Sequence, residues 1–152
     1  MRILRCVFLV FLLFAVSCGG DHDKEIEEVM SLRTQAFETK DVDLYMTLIA
    51  PGYKQEKKGK VIGPEEIKKN FEVNVKLFDT LHITHTDRTV YQDGDRAEVF
   101  QKTLVDATDG EGKSRLRLKE KILLARENGK WVIVRESDED LFYGYVFGRS
   151  KD

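Results

Sequence analysis

This chain has little that could staple it or hold a metal: two cysteines, two prolines, three histidines and one tryptophan in 152 residues. Cys6 stands inside an apolar stretch and Cys18 follows its end, so the charged remainder contains no thiol. That excludes a disulfide, a cysteine nucleophile and a thiolate metal site from any domain it forms. The histidines are no better placed for a metal. His82 and His85 lie three apart on a predicted strand and point to opposite faces, and His22 is in a polar leader. No metal or cofactor is expected. Nor is there a serine–histidine–acid arrangement, a phosphate loop or a dinucleotide fingerprint. Neither charge sign dominates, with 25 basic and 27 acidic residues. Without Arg2 and Arg5 the balance is −4, which offers no basic excess to nucleic acid or to an anionic lipid surface. The longest apolar run, Val7 to Val16, spans about 15 Å, half of a bilayer's hydrocarbon core, so a permanent membrane helix is not expected.

What the short run does fit is an export signal. Arg2 and Arg5 make a positive start, the run follows, and small residues at Ala15 and Ser17 precede Cys18. Ala15-Val16-Ser17-Cys18 resembles a bacterial lipobox, in which the cysteine is acylated and becomes the new N-terminus. The resemblance implies a signal peptide over residues 1–17, a lipid-anchored tether over 18–24 and a membrane partner reached through lipidated Cys18. Gly19 stands where aspartate would retain a Gram-negative lipoprotein at the inner membrane, so the outer membrane is the implied address, facing the periplasm.

Beyond the tether one domain is expected, over 25–137. Asp23 can cap a helix with the stripe Ile26, Val29, Met30, the Arg33 stem and Phe37. Asp41 caps a second with Leu44, Tyr45, Leu48 and Ile49, ended by Pro51-Gly52. Tyr53 to Val61 reads as a strand or hairpin edge. Gly63-Pro64 with Glu65 and Glu66 opens a third helix with Ile67, Phe71, Val75 and Phe78 on one face. From Leu81 the period becomes two, over strands 81–91, 96–108, 114–126 and 130–137. Turns at Asp93-Gly94, at Asp109 to Gly112 and at Asn128-Gly129 punctuate them. Helices followed by antiparallel strands predict an α+β fold, three helices on a curved sheet.

Gly94-Asp95-Arg96-Ala97-Glu98-Val99 and Asn128-Gly129-Lys130-Trp131-Val132-Ile133 resemble strand motifs of the nuclear transport factor 2-like superfamily, the SnoaL-like or cystatin-like cone. The resemblance covers about Lys24 to Ser137. It implies a cone-shaped barrel, and a homodimer is common among such proteins. It leaves function open between isomerases, cyclases, dehydratases, transport factors and lipoproteins.

Taking the turns as register marks sets His85 opposite Lys102, Lys102 opposite Glu120, Asp87 opposite Phe100 and Ile122 opposite Arg135. The expected inner face is then Ile83, Leu104 and Leu118 in one layer and Phe100, Ile122, Leu124, Trp131 and Ile133 in another. A polar row of His85, Lys102 and Glu120 runs between them, with Asp87 and Arg135 alongside. As a pocket, His85 or Asp87 accepts a proton and Lys102 or Arg135 holds an anion, with Tyr45 and Tyr53 at the mouth. As a ladder, Lys102, Glu120 and Arg135 neutralise one another. The other face is expected to carry Arg88, Arg115, Arg117, Lys119 and Lys121 beside an apolar patch of Val90, Ala97, Val99, Leu123, Ala125, Val132 and Val134, a possible dimer surface. The tail, 138–152, with Phe142, Tyr143, Tyr145 and Phe147, is expected to fold back over the cone. The first functional expectation is a non-catalytic envelope protein binding a small ligand or protein through the cone. A proton-transfer enzyme and a structural homodimer are the alternatives.

Overall fold

The apolar stripe from Ile26 to Phe37 lies on one long helix in the computed structural model, which describes residues 20–57 and 59–136. The export signal, Cys18 and the aromatic tail fall outside the described residues. Helix α1 (Gly20–Thr39) takes in the segment expected as tether up to Lys24 and buries Ile26, Val29, Met30, Arg33, Ala36 and Phe37. Lys40 ends it in the left-handed region (φ 59°), where the Asp41 N–H returns to the Ala36 carbonyl at 2.9 Å. Its ammonium donates to the carbonyls of Phe78 and Asp79 at 2.6 and 3.0 Å, offsetting that strain. The Asp41 carboxylate then accepts from the Leu44 N–H at 2.9 Å and starts α2 (Val42–Thr47).

Two short strands, β1 (Gln55–Lys57) and β2 (Lys60–Ile62), form a hairpin before α3 (Pro64–Asn74). Proline opens α3 where its missing N–H costs nothing, and a 3-10 turn (Val75–Leu77) closes it. Ile67, Phe71, Val75 and Phe78 are all buried, as their spacing predicts. Tyr45 stacks on Phe71 (4.5 Å, 15°) and Phe37 tilts against both, which ties the three helices together.

Four antiparallel strands follow in sequential order: β3 (Thr80–Asp93), β4 (Arg96–Asp109), β5 (Gly112–Glu127) and β6 (Lys130–Glu136). Backbone bonds of Ala50 and Ile133, each to the other segment (2.9 and 2.7 Å), pin the end of α2 to β6. This is the expected α+β fold: three helices on one antiparallel sheet, with the core between them.

The register departs from expectation in four places. Gly94 (φ 56°) is the first residue of the β3–β4 loop rather than the second, so Asp93 faces Arg96 and the ladder moves by two. A bulge between Thr86 and Thr89 takes one of those two residues back and sets His85 opposite Thr103, not Lys102. The β4–β5 loop is two residues, with Asp109 opposite Gly112, so Gln101 rather than Lys102 faces Glu120. Only the Asn128-Gly129 turn holds as read, with Leu124 opposite Ile133; a bulge beyond it places Glu136, not Arg135, opposite Ile122. A one-residue slip turns every side chain to the other face. Phe100 and Leu104 therefore leave the expected core, while Val90, Ala97 and Val99 join it or pack against it.

Candidate functional site

Arg33 occupies an apolar-stripe position of α1, and its guanidinium follows its stem into the interior: the residue is 1% exposed. Nε donates to Glu136 on β6 at 2.6 Å, and one terminal nitrogen donates to Glu120 on β5 at 2.9 Å. The Tyr45 hydroxyl of α2 takes the second Glu136 oxygen at 2.7 Å. The second Glu120 oxygen accepts from Gln101 Nε2 at 2.8 Å and from the Thr103 hydroxyl, both on β4. Five elements thus meet around one buried cation and two carboxylates. Burying such charges costs several kcal/mol each, in order of magnitude, unless geometry and hydrogen bonds answer it, and here nearly every polar atom is answered. The second terminal nitrogen of Arg33 is the exception, with no hydrogen-bond partner among the described residues.

The charges reinforce one another. Burial works against the Arg33 charge, but Glu120 and Glu136 hold the proton more firmly than water would. Burial pushes the Glu120 carboxyl up, and the neighbouring guanidinium with the Thr103 and Gln101 hydrogen bonds more than reverses it, leaving it below the ordinary range. Burial and then the Glu136 charge push the Tyr45 phenol well above its usual value.

His85 sits at the edge of this cluster, with Nδ1 2.9 Å from the Thr103 hydroxyl and Nε2 2.7 Å from that of Thr34. Thr103 spends its proton on Glu120, so Nδ1 carries the hydrogen, and the single Thr34 hydroxyl hydrogen is shared between Nε2 and the Met30 carbonyl at 3.0 Å. Desolvation lowers the imidazole pKa to about 4, the nearby Glu120 only partly opposing it, so the ring is neutral near pH 7.

Of the expected site residues, His85, Glu120 and Tyr45 do come together. Tyr53 is also buried, its hydroxyl a distant 3.4 Å from Gln55 Oε1. Asp87, Lys102 and Arg135 do not belong. Asp87 is the exposed residue at the β3 bulge (φ 51°) and pairs with Lys102 on the outside at 2.6 Å. Arg135 is exposed opposite Leu123. In their places stand Arg88, Gln101, Thr103 and Glu136, each one residue along. Arg88 turns inward to Gln101 Oε1 at 2.8 Å and pairs with Glu27 of α1. Sequence reading missed Arg33, although a charged residue in an apolar stripe is itself the signal of a buried ion.

The cluster reaches an opening at Tyr45 and Glu136. A cavity of about 30 Å3 lies there, lined by Phe37, Tyr45, Gln55, Ile67, Asn70, Phe71, Asn74 and Glu136. It has room for a water or two. Among the described residues no group of three histidine, cysteine, aspartate or glutamate side chains could hold a metal ion, and no helix is long and apolar enough to cross a membrane.

The profile of the SnoaL-like domain matches residues 26–137 of this chain. No curated protein matches it. Among solved structures it resembles a protein of unknown function from Mycobacterium tuberculosis, with a TM-score of 0.68 and 17% identity over 84% of this chain and 90% of that one. A cystatin-like-fold protein of unknown function from Nostoc punctiforme gives 0.62 and 19%, covering 75% and 86%. A candidate dehydratase of the nuclear transport factor 2-like family from Streptomyces avermitilis gives 0.66 and 14%, covering 75% and 92%. At these identities the likeness is one of fold.

Proposed function

The chain belongs to the SnoaL-like domain family, and from that premise we propose that it is a lipid-anchored, non-catalytic binding protein of the bacterial envelope, taking a small polar ligand at the mouth of its cone. The observation that carries this reading is the closure of the interior charges on one another. Arg33 spends Nε and one terminal nitrogen on Glu136 and Glu120, and Tyr45 occupies the remaining Glu136 oxygen. A general base must reach a substrate proton and titrate near working pH. His85 has both ring nitrogens engaged by threonines and a pKa of about 4, and Asp87 lies outside the cone. These facts favour binding over the isomerase, cyclase or dehydratase chemistry that the family also hosts. At the mouth, by contrast, the amides of Gln55, Asn70 and Asn74 meet the Phe37 and Phe71 rings. Such a mix of an apolar wall and a few polar groups is what a small ligand site needs. A ligand larger than water enters by displacing the Asn70 and Asn74 side chains of α3.

The anchor rests on Arg2, Arg5, the Val7 to Val16 run and Cys18. Both halves are tested on protein recovered from its own host membranes. Labelling with a palmitate analogue should mark the wild type and leave Cys18→Ala unmarked and in the soluble fraction. Native mass spectrometry should find a small molecule on the wild type and lose it from Asn70→Ala/Asn74→Ala, which spares the buried ions. Intact Met1 on unlabelled protein would remove the anchor. Recovery with an empty cone in every preparation would remove the ligand.

A further inference from the structure

We propose that the outer face of the sheet carries a separate site, a groove that takes a small anion joined to an apolar body. The groove encloses about 430 Å3 and is lined by Thr86 of β3, Lys102, Thr103 and Leu104 of β4, and Arg117, Leu118 and Lys119 of β5. That volume is in the range of small-molecule sites, roughly 300–1,000 Å3. Lys102, Leu104, Arg117 and Lys119 point away from Arg33, on the outer face of the sheet, and the groove borders the interior only at Thr103 and Leu118, which alternate inward.

The argument starts from the alternation of β5. Every second residue from Lys113 to Lys121 is a cation, so one strand points five positive charges away from the core. Two of the five are met from β4, while Lys113, opposite Thr108 and outside the groove, has no ion pair among the described residues. Arg115 pairs with Asp106 at 2.5 Å, and Lys121 pairs with Glu98 at 3.0 Å and lies over the Phe100 ring. In the middle of the row the charges are not met. Arg117 stands opposite Leu104, and Lys119 stands directly opposite Lys102. Like charges facing across a ladder are destabilising. The bulge swings Asp87 over to Lys102 at 2.6 Å, answering one of the three cations. Arg117 and Lys119 have no carboxylate partner among the described residues.

Two unanswered cations of different geometry thus flank a groove with Leu104 on its outer wall. A guanidinium offers a planar fork for a carboxylate or phosphate, and an ammonium beside it supplies a point charge. Leu104, half-buried and directly opposite Arg117, offers apolar surface next to them. The shared chemistry is an anionic head on an apolar body, whether a free small molecule or a lipid headgroup beside the anchor. The net charge of the chain concealed this, because the excess is local to three strands.

The test uses the full chain in phosphatidylcholine nanodiscs, titrated calorimetrically with phenyl phosphate, and with inorganic phosphate and phenol as its two halves. Phenyl phosphate should bind about tenfold more tightly than either half. Arg117→Gln and Lys119→Gln should each weaken it roughly tenfold, the scale of one charge-assisted hydrogen bond. Lys113→Gln, the same charge change outside the groove, should not. Nanodiscs containing phosphatidylglycerol separate the sources: weaker phenyl phosphate binding assigns the groove to a headgroup, and unchanged binding assigns it to a free molecule. The proposal falls if phenyl phosphate gives no heat, if inorganic phosphate binds as well, or if Lys113→Gln weakens binding equally. It also falls if two chains pair through this face and exclude the probe.

Discussion

Arg33 stands where the helix period asks for an apolar side chain, and its chemistry follows from that position. Its guanidinium lies over the Phe37 ring, 4.9 Å from guanidinium carbon to centroid, and bridges two strands. Removing one member of a buried ion cluster strands the others. Arg33→Met should therefore cost about 3–5 kcal/mol, read as a lower urea midpoint. Neutralising the whole cluster, with Glu120→Gln and Glu136→Gln added, should recover most of that loss. Equal instability in the single and triple variants would mean that shape, not charge, sets the position. The sequence showed Arg33 in the stripe but not where its head goes, because a stem and a snorkelling head look alike until something covers them.

At the scale of elements, the helices were legible and the faces of the strands were not. Ile67, Phe71, Val75 and Phe78 are buried as spaced, and so are Tyr45, Leu48 and Ile49. A helix stripe survives an error of one residue at its end, whereas a strand face does not. A turn over Asp109 to Gly112 that centres on Glu111 sets Lys102 beside Glu120. The two-residue loop separates them onto opposite faces. Asn128-Gly129 was read correctly because both residues need positive φ, and they take 51° and 78°. That demand distinguishes the glycines. Gly129→Ala should lose about 1–2 kcal/mol of stability in denaturant titrations, the cost of a side chain held left-handed. Gly110→Ala meets open space without positive φ and should be neutral or slightly stabilising. Matching losses at both would contradict the turn geometry.

At the scale of the whole molecule, the interior couples stability to acidity. His85 titrates near 4 in the fold against 6.5 when free, so below pH 6.5 the unfolded chain takes a proton that the native chain refuses. Stability from this source is complete above 6.5 and falls between there and about 4. Glu120 is held below its ordinary value of 4.5, so its contribution is complete above 4.5 and is lost as pH drops through the lower folded value. Denaturation measured at pH 7.5, 5.5 and 4.5 should show a decline in the wild type that is much smaller in His85→Gln. Parallel curves for the two proteins would exclude His85 as the source.

The amino-acid order by itself determined the fold class, the three helices and their buried faces, and the absence of any thiol between Gly20 and Glu136. Those properties follow from local period, capping and composition. Only the tertiary structure decided that Glu136 rather than Arg135 meets Arg33, that Lys102 faces outward, and that Arg117 and Lys119 are left unanswered. The physical reason is parity: bulges and loop centres change register by single residues at little local cost, so hydrophobic alternation tolerates either choice until helix α1 lays one arginine across the sheet.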